Sequence, residues 1–211
     1  MRRSGAIVLL LCMVGGTKAR GADLAFRPQE ISNRLTVGYA VRVVDMNADK
    51  KPDIVVVDTE RVIWFENPSW EMHTLIDHQT KPDNVCIAPY DIDGDGKLDF
   101  ALGADWRPPM TKENGTLEWI SRGASESDKW QVHPIGREPT IHRIQWADID
   151  GDGRSELIVV PLWGQGSTPP QFAEKPLRIL AYKIPADPLK DAWTPQVLCE
   201  DLHVAHNFEP T

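Results

Sequence analysis

One nine-residue acidic pattern returns three times and limits what this chain can become. Asp45-Met-Asn-Ala-Asp-Lys-Lys-Pro-Asp53 runs into Ile-Val-Val-Val, Asp91-Ile-Asp-Gly-Asp-Gly-Lys-Leu-Asp99 into Phe-Ala-Leu-Gly, and Asp148-Ile-Asp-Gly-Asp-Gly-Arg-Ser-Glu156 into Leu-Ile-Val-Val. The starts lie 46 and 57 residues apart. Self-similarity on that scale marks an array of equivalent units, each unable to bury its apolar surface alone.

The flanks repeat with the pattern. An extended stretch precedes each acidic run: Ala40–Val44, Cys86–Tyr90 and Arg143–Ala147. A β-branched or apolar run follows it, then a third strand at Val62–Phe65, Leu117–Ile120 and Leu177–Tyr182. A fourth starts at Trp70, Trp130 and Trp193. Seventeen Pro and 15 Gly punctuate the chain, as many short strands require. Four short antiparallel strands per unit describe a β-propeller blade. A sandwich with acidic turns would not explain a tryptophan at one place in every unit. The reading is therefore all-β, with blades at about 36–78, 82–137 and 140–200. His203-Val-Ala-His-Asn-Phe-Glu209 aligns with His142-Arg-Ile-Gln-Trp-Ala-Asp148, so a fourth unit starts at about 202–211. Three blades and one strand do not close a ring, so the expectation is a piece of a larger propeller of six to eight blades.

Residues 1–22 read as a leader. Arg2 and Arg3 precede the apolar run Ala6–Val14, which is too short to span a bilayer, and small residues place cleavage near 19 or 22. The expected location is secreted or periplasmic, with no membrane-spanning segment after cleavage. The chain has 23 basic and 31 acidic residues, a net charge of −8, which argues against nucleic acid as partner and for a cation. Cys12 lies in the leader; Cys86 and Cys199 remain, and two cysteines make no disulfide framework, so both read as small buried hydrophobes.

The acidic runs carry the chemistry. Oxygens from positions 1, 3, 5 and 9 and the position-7 carbonyl converge when a loop wraps tightly, and Ca²⁺ takes six to eight oxygens. The second run offers Asp91, Asp93, Asp95, the Lys97 carbonyl and Asp99; the third offers Asp148, Asp150, Asp152, the Arg154 carbonyl and Glu156. The first offers Asp45, Asn47, Asp49, the Lys51 carbonyl and Asp53, with Lys50 where the others have Gly. Two calcium sites and a third, weaker one are expected. An EF-hand is excluded, because position 12 holds Leu102 and Val159 and the flanks are strands. A lone acidic turn would read as a solvated loop, but two complete sets in register point to metal.

These runs and their apolar followers resemble the FG-GAP or VCBS repeat, across Thr36 to Glu209. The resemblance implies a calcium-loop propeller and names no activity. His142-Arg-Ile-Gln-Trp-Ala-Asp148, Val160-Pro-Leu162 and His203-Val-Ala-His-Asn-Phe208 are more narrowly similar to the propeller domain of aldos-2-ulose dehydratase-type proteins. That resemblance implies a parent sugar dehydratase or isomerase with cupin-like domains, for which this chain has no room.

Strand order separates two edges of each blade. The acidic loops lie at one edge, and the insertions Ala104–Gly115 and Pro161–Pro176 lie at the other, where long loops on a rigid scaffold carry function. Tyr39, Val85, His142 and His203 stand six residues before each acidic run or its aligned position, at that second edge. His142, Arg143, His203 and His206 are therefore expected to meet Trp106, Arg107 and Trp163 there, as a ligand site for a saccharide or another protein. His142 and His203 are the candidate proton shuttles if the parent is an enzyme. The alternative for these histidines is capping strands or binding channel water. Trp70, Trp130 and Trp193 read as packing between blades, and His73 and His133 as part of the repeat. Asn114-Gly-Thr116 matches a glycosylation sequon.

Overall fold

The computed structural model describes residues 25–123 and 129–210. The leader expected at residues 1–22 lies outside the described residues. Residues 25–31 carry no helix or strand, and the compact unit begins at Ser32.

Each repeat unit folds into its own four-stranded antiparallel sheet in sequential strand order. The first holds β1 (Ala40–Val44), β2 (Asp53–Val57), β3 (Arg61–Glu66) and β4 (Glu71–Asp77). The second holds β5 (Cys86–Tyr90), β6 (Asp99–Ala104), β7 (Thr116–Ser121) and β8 (Gln131–Arg137). The third holds β9 (Ile141–Ala147), β10 (Glu156–Pro161), β11 (Ile179–Tyr182) and β12 (Pro195–Cys199). The described residues contain no helix. This is the all-β, propeller-type architecture expected from the repeat, with β5 lying between β1 and β9 as inner strands.

The apolar runs after the acidic loops become β2, β6 and β10, the second strand of each sheet. They are unbroken in apolar character because both faces are covered; β6 and β10 are buried at every position. Alternate residues then serve different interfaces. Phe100 and Leu102 pack with Val55, Val57, Val62 and Ile76 of the first blade, while Ala101 packs with Leu157, Val159 and Tyr182 of the third. Trp130 and Trp193 lie in these interfaces as expected; Trp70 is only half-buried. His73 stacks on Trp64 and His133 packs on Trp119, each pair with rings 4.4 Å apart, so these histidines keep the repeat role.

Cys86 is buried and its thiol is pushed up to about 12 by burial, whereas Cys199 is half-exposed on β12; both are free. The expectation of two buried cysteines therefore holds only for Cys86. The aligned start of a fourth unit forms no ladder. Its one bridge joins Val204 to Trp163, the Leu202 carbonyl accepts from the Leu177 amide at 2.7 Å, and side chains hold the end beside β9: Arg143 Nε donates to Asn207 Oδ1 at 3.1 Å and Gln145 Nε2 to the Phe208 carbonyl at 2.9 Å.

Candidate functional site

The three acidic loops join the first and second strands of each blade, and they share one hydrogen-bond scheme. The position-1 carboxylate accepts from the position-6 amide: Lys50 to Asp45 at 2.8 Å, Gly96 to Asp91 at 3.0 Å, Gly153 to Asp148 at 2.9 Å. The position-9 carboxylate accepts from the position-2 amide: Met46 to Asp53, Ile92 to Asp99, Ile149 to Glu156, at 2.8, 3.0 and 3.1 Å. Side-chain oxygens at positions 3 and 5 accept from the amides two residues on, as Asp and Asn do in tight turns. Positions 4 and 6 take positive φ. Glycine holds both places in the second and third loops, but Ala48 and Lys50 hold them in the first.

Oxygens of Asp91, Asp93 and Asp99 lie within 4.8 Å of one another, as do those of Asp148, Asp150 and Glu156. That spread suits one ion with oxygens at about 2.3–2.6 Å on opposite sides. Asp95 and Asp152 lie outside these groups of three, each bonded to its position-7 amide. Asp99 is buried, and burial with the charges of Asp93 and Asp95 pushes it up to about 7 against the Ile92 amide. Crowded carboxylates, one of each three buried, fit a hard divalent cation. The first loop gathers no such group among the described residues. Asp53 spends both oxygens on the Met46 and Asn67 amides, and Asp49 pairs with the Lys51 ammonium at 2.8 Å.

Cross-strand pairing adds residues that the pattern did not reveal. The pairs Ile54–Phe65, Phe100–Ile120 and Leu157–Tyr182 put Glu66, Ser121 and Lys183 opposite the three position-9 carboxylates. Glu66 accepts from Asn47 Nδ2 at 3.2 Å and contacts His73 Nε2 at 3.0 Å. Ser121 turns to His133 Nε2 at 2.9 Å. Lys183 enters the third loop: its Nζ lies 2.5 Å from Asp150, 3.1 Å from Asp152 and 3.6 Å from Glu156. No spacing rule in the sequence marks Lys183; only the strand register does.

At the opposite edge the expected constellation forms in part. Trp106 stacks on His142 with centroids 5.4 Å apart, His206 meets His142 edge-on at 4.7 Å, and Tyr39 meets Trp106 at 5.5 Å. His142 is buried, and neither ring nitrogen has a partner. Burial, then the charges of Arg143 and His206, pull it down to about 4. The remaining candidates point elsewhere. Trp163 stacks on Phe172 at 4.2 Å, Arg107 pairs with Asp105 at 3.4 Å, and Arg143 is taken by Asn207 and the His142 carbonyl. His203 is exposed. The two insertions bind each other, Thr111 Oγ1 donating to the Ser167 carbonyl at 2.6 Å and the Gly166 amide to the Thr111 carbonyl at 3.0 Å. The sequon asparagine, Asn114, is buried with its amide against Asp105, so it is closed to glycan transfer in this fold.

Fold and loops together define a β-propeller assembled from repeats with acidic hairpin loops. The family model described as an FG-GAP-like repeat matches residues 45–102, which run from the start of the first loop through the second and into β6. Likeness to known families is supported to that depth, and the narrower dehydratase resemblance gains no support from it. No curated protein matches the chain.

Proposed function

We propose that this chain is an exported calcium-binding propeller module that presents a ligand surface, for a saccharide or another protein. The carrying observation is the gathering of three carboxylates in each of two loops, Asp91, Asp93 and Asp99 in one and Asp148, Asp150 and Glu156 in the other. Calcium would supply the divalent charge that relieves repulsion among these oxygens. The chain's own contribution is the wrap: position-6 glycines turn the backbone, and the position-9 carboxylate ties the loop to the first residue of the next strand. Holding that hairpin closed fixes β5 against β6 and β9 against β10, the strands whose neighbours form the blade interfaces. Export rests on the sequence of residues 1–22.

The ligand part of the proposal rests on the Tyr39, Trp106, His142 and His206 chain, where aromatic faces and an imidazole meet at the edge that bears both long insertions. Thermal melts of the chain with calcium and with chelator test the metal reading. The melting temperature rises in calcium; superimposable curves would remove the metal from the proposal.

A further inference from the structure

The second and third loops each gather three carboxylates on the same glycine turns and the same amide bonds, with Asp99 at position 9 of one and Glu156 of the other, yet their surroundings differ by one inserted charge. Each carries its own position-7 cation, Lys97 or Arg154; Lys97 pairs with Asp95 at 3.5 Å, and neither cation contacts the three gathered carboxylates of its loop. The residue opposite position 9 separates the two loops. In the second blade it is Ser121, uncharged and turned to His133. In the third it is Lys183, whose ammonium contacts Asp150, Asp152 and Glu156 at once. Asp150 and Glu156 are two of the three carboxylates gathered there. The same lysine lines a pocket of about 210 Å³ between the two loops, together with Asp91, Asp93 and Asp152.

We infer that Lys183 is a tethered cation that occupies the third loop and sets the order of metal filling, with the second loop as the high-affinity site. The inference rests on the calcium reading above and deepens it. A divalent ion enters the third loop only by expelling the ammonium, which loses its three carboxylate contacts and, while it stays near, repels the ion. The lysine side chain is 57% exposed, so it has a path out into water, and the third loop is weakened and not closed. In the second loop the Lys97 ammonium reaches only Asp95, at 3.5 Å and outside the three gathered carboxylates, so that loop fills first.

Calorimetric titration of the chelator-stripped full chain with calcium chloride tests this, with circular dichroism to confirm that each variant is folded. The wild type shows one tight equivalent and a second that is about tenfold weaker or more. Lys183→Met, which keeps length and removes charge, brings the second equivalent to within about threefold of the first. Lys183→Arg behaves as wild type. Asp93→Asn removes the tight equivalent from the wild type, and Asp150→Asn leaves it in place. Two equal equivalents in the wild type, lost one each in Asp93→Asn and Asp150→Asn, overturn the inference while leaving the calcium reading intact. An unchanged titration in Lys183→Met overturns it in the same way. Folded protein that takes up no calcium, with or without Lys183, sinks the calcium reading and this inference with it.

Discussion

Asp58 and Asp99 are both buried aspartates at the ends of second strands, and their environments drive them in opposite directions. Asp58 follows directly after β2 at the insertion edge. Burial alone would raise it, but the amides of Thr36, Val37 and Thr59 and the Arg61 guanidinium hold it down to about 2. Asp99 opens β6 at the loop edge, where burial and two neighbouring aspartates push it up to about 7. One carboxylate is fully satisfied by the fold. The other sits among like charges. The fold thus has a self-sufficient edge and an edge where carboxylates crowd in the second and third blades, the place at which the proposed calcium would act.

The largest expected effect tests the self-sufficient edge. Asp58→Ala strands several amides and Arg61, and costs about 3–5 kcal/mol in urea denaturation. The loss is the same in calcium and in chelator; a calcium-dependent loss would erase the distinction between the edges. His142 is the exception at that edge, buried and without a partner, and it gives the next effect. The unfolded chain takes up a proton near 6.5, whereas folded His142 stays neutral down to about 4. Stability therefore falls as pH drops through that window, by up to about 3 kcal/mol. His142→Phe, compared with wild type between pH 4 and 6.5, flattens that part of the profile; an equal slope would mean that another group carries it.

The loop edge comes third. Calcium at a hundredfold excess over Kd stabilises the chain by about 2.7 kcal/mol per site. Asp93→Ala removes most of the gain seen at low calcium, while Asp150→Ala removes little of it. Equal losses would make the two loops equivalent. The smallest effect sharpens a contrast within that edge. Lys50 stands at φ 69° where the other loops have glycine, so Lys50→Gly relieves strain at some cost in chain entropy and gains about 0.5–1 kcal/mol. Denaturant midpoints measure it, and a loss would show that the Lys50 side chain contributes something that the loop geometry does not reveal.

What the sequence determined by itself is whatever closes within a short stretch of chain. Each acidic loop makes its turns with partners no more than seven residues away, so composition and spacing were enough to place the wraps and the strands either side, and of the candidate metal oxygens the structure gathers three each in the second and third loops and none in the first. The apolar runs of β2, β6 and β10 were legible for a similar reason, since a strand covered on both faces must be apolar throughout. Tertiary structure decided the rest. Lys183 reaches Asp150 across 33 residues, and His206 reaches His142 across 64 positions, through a sheet register and a chain return that no local pattern encodes. Trp163 and Arg107 lay on the expected edge, yet their side chains were claimed by Phe172 and Asp105. Local hydrogen bonds repeat wherever their residues repeat, whereas an inserted lysine or a stacked imidazole depends on which strands become neighbours.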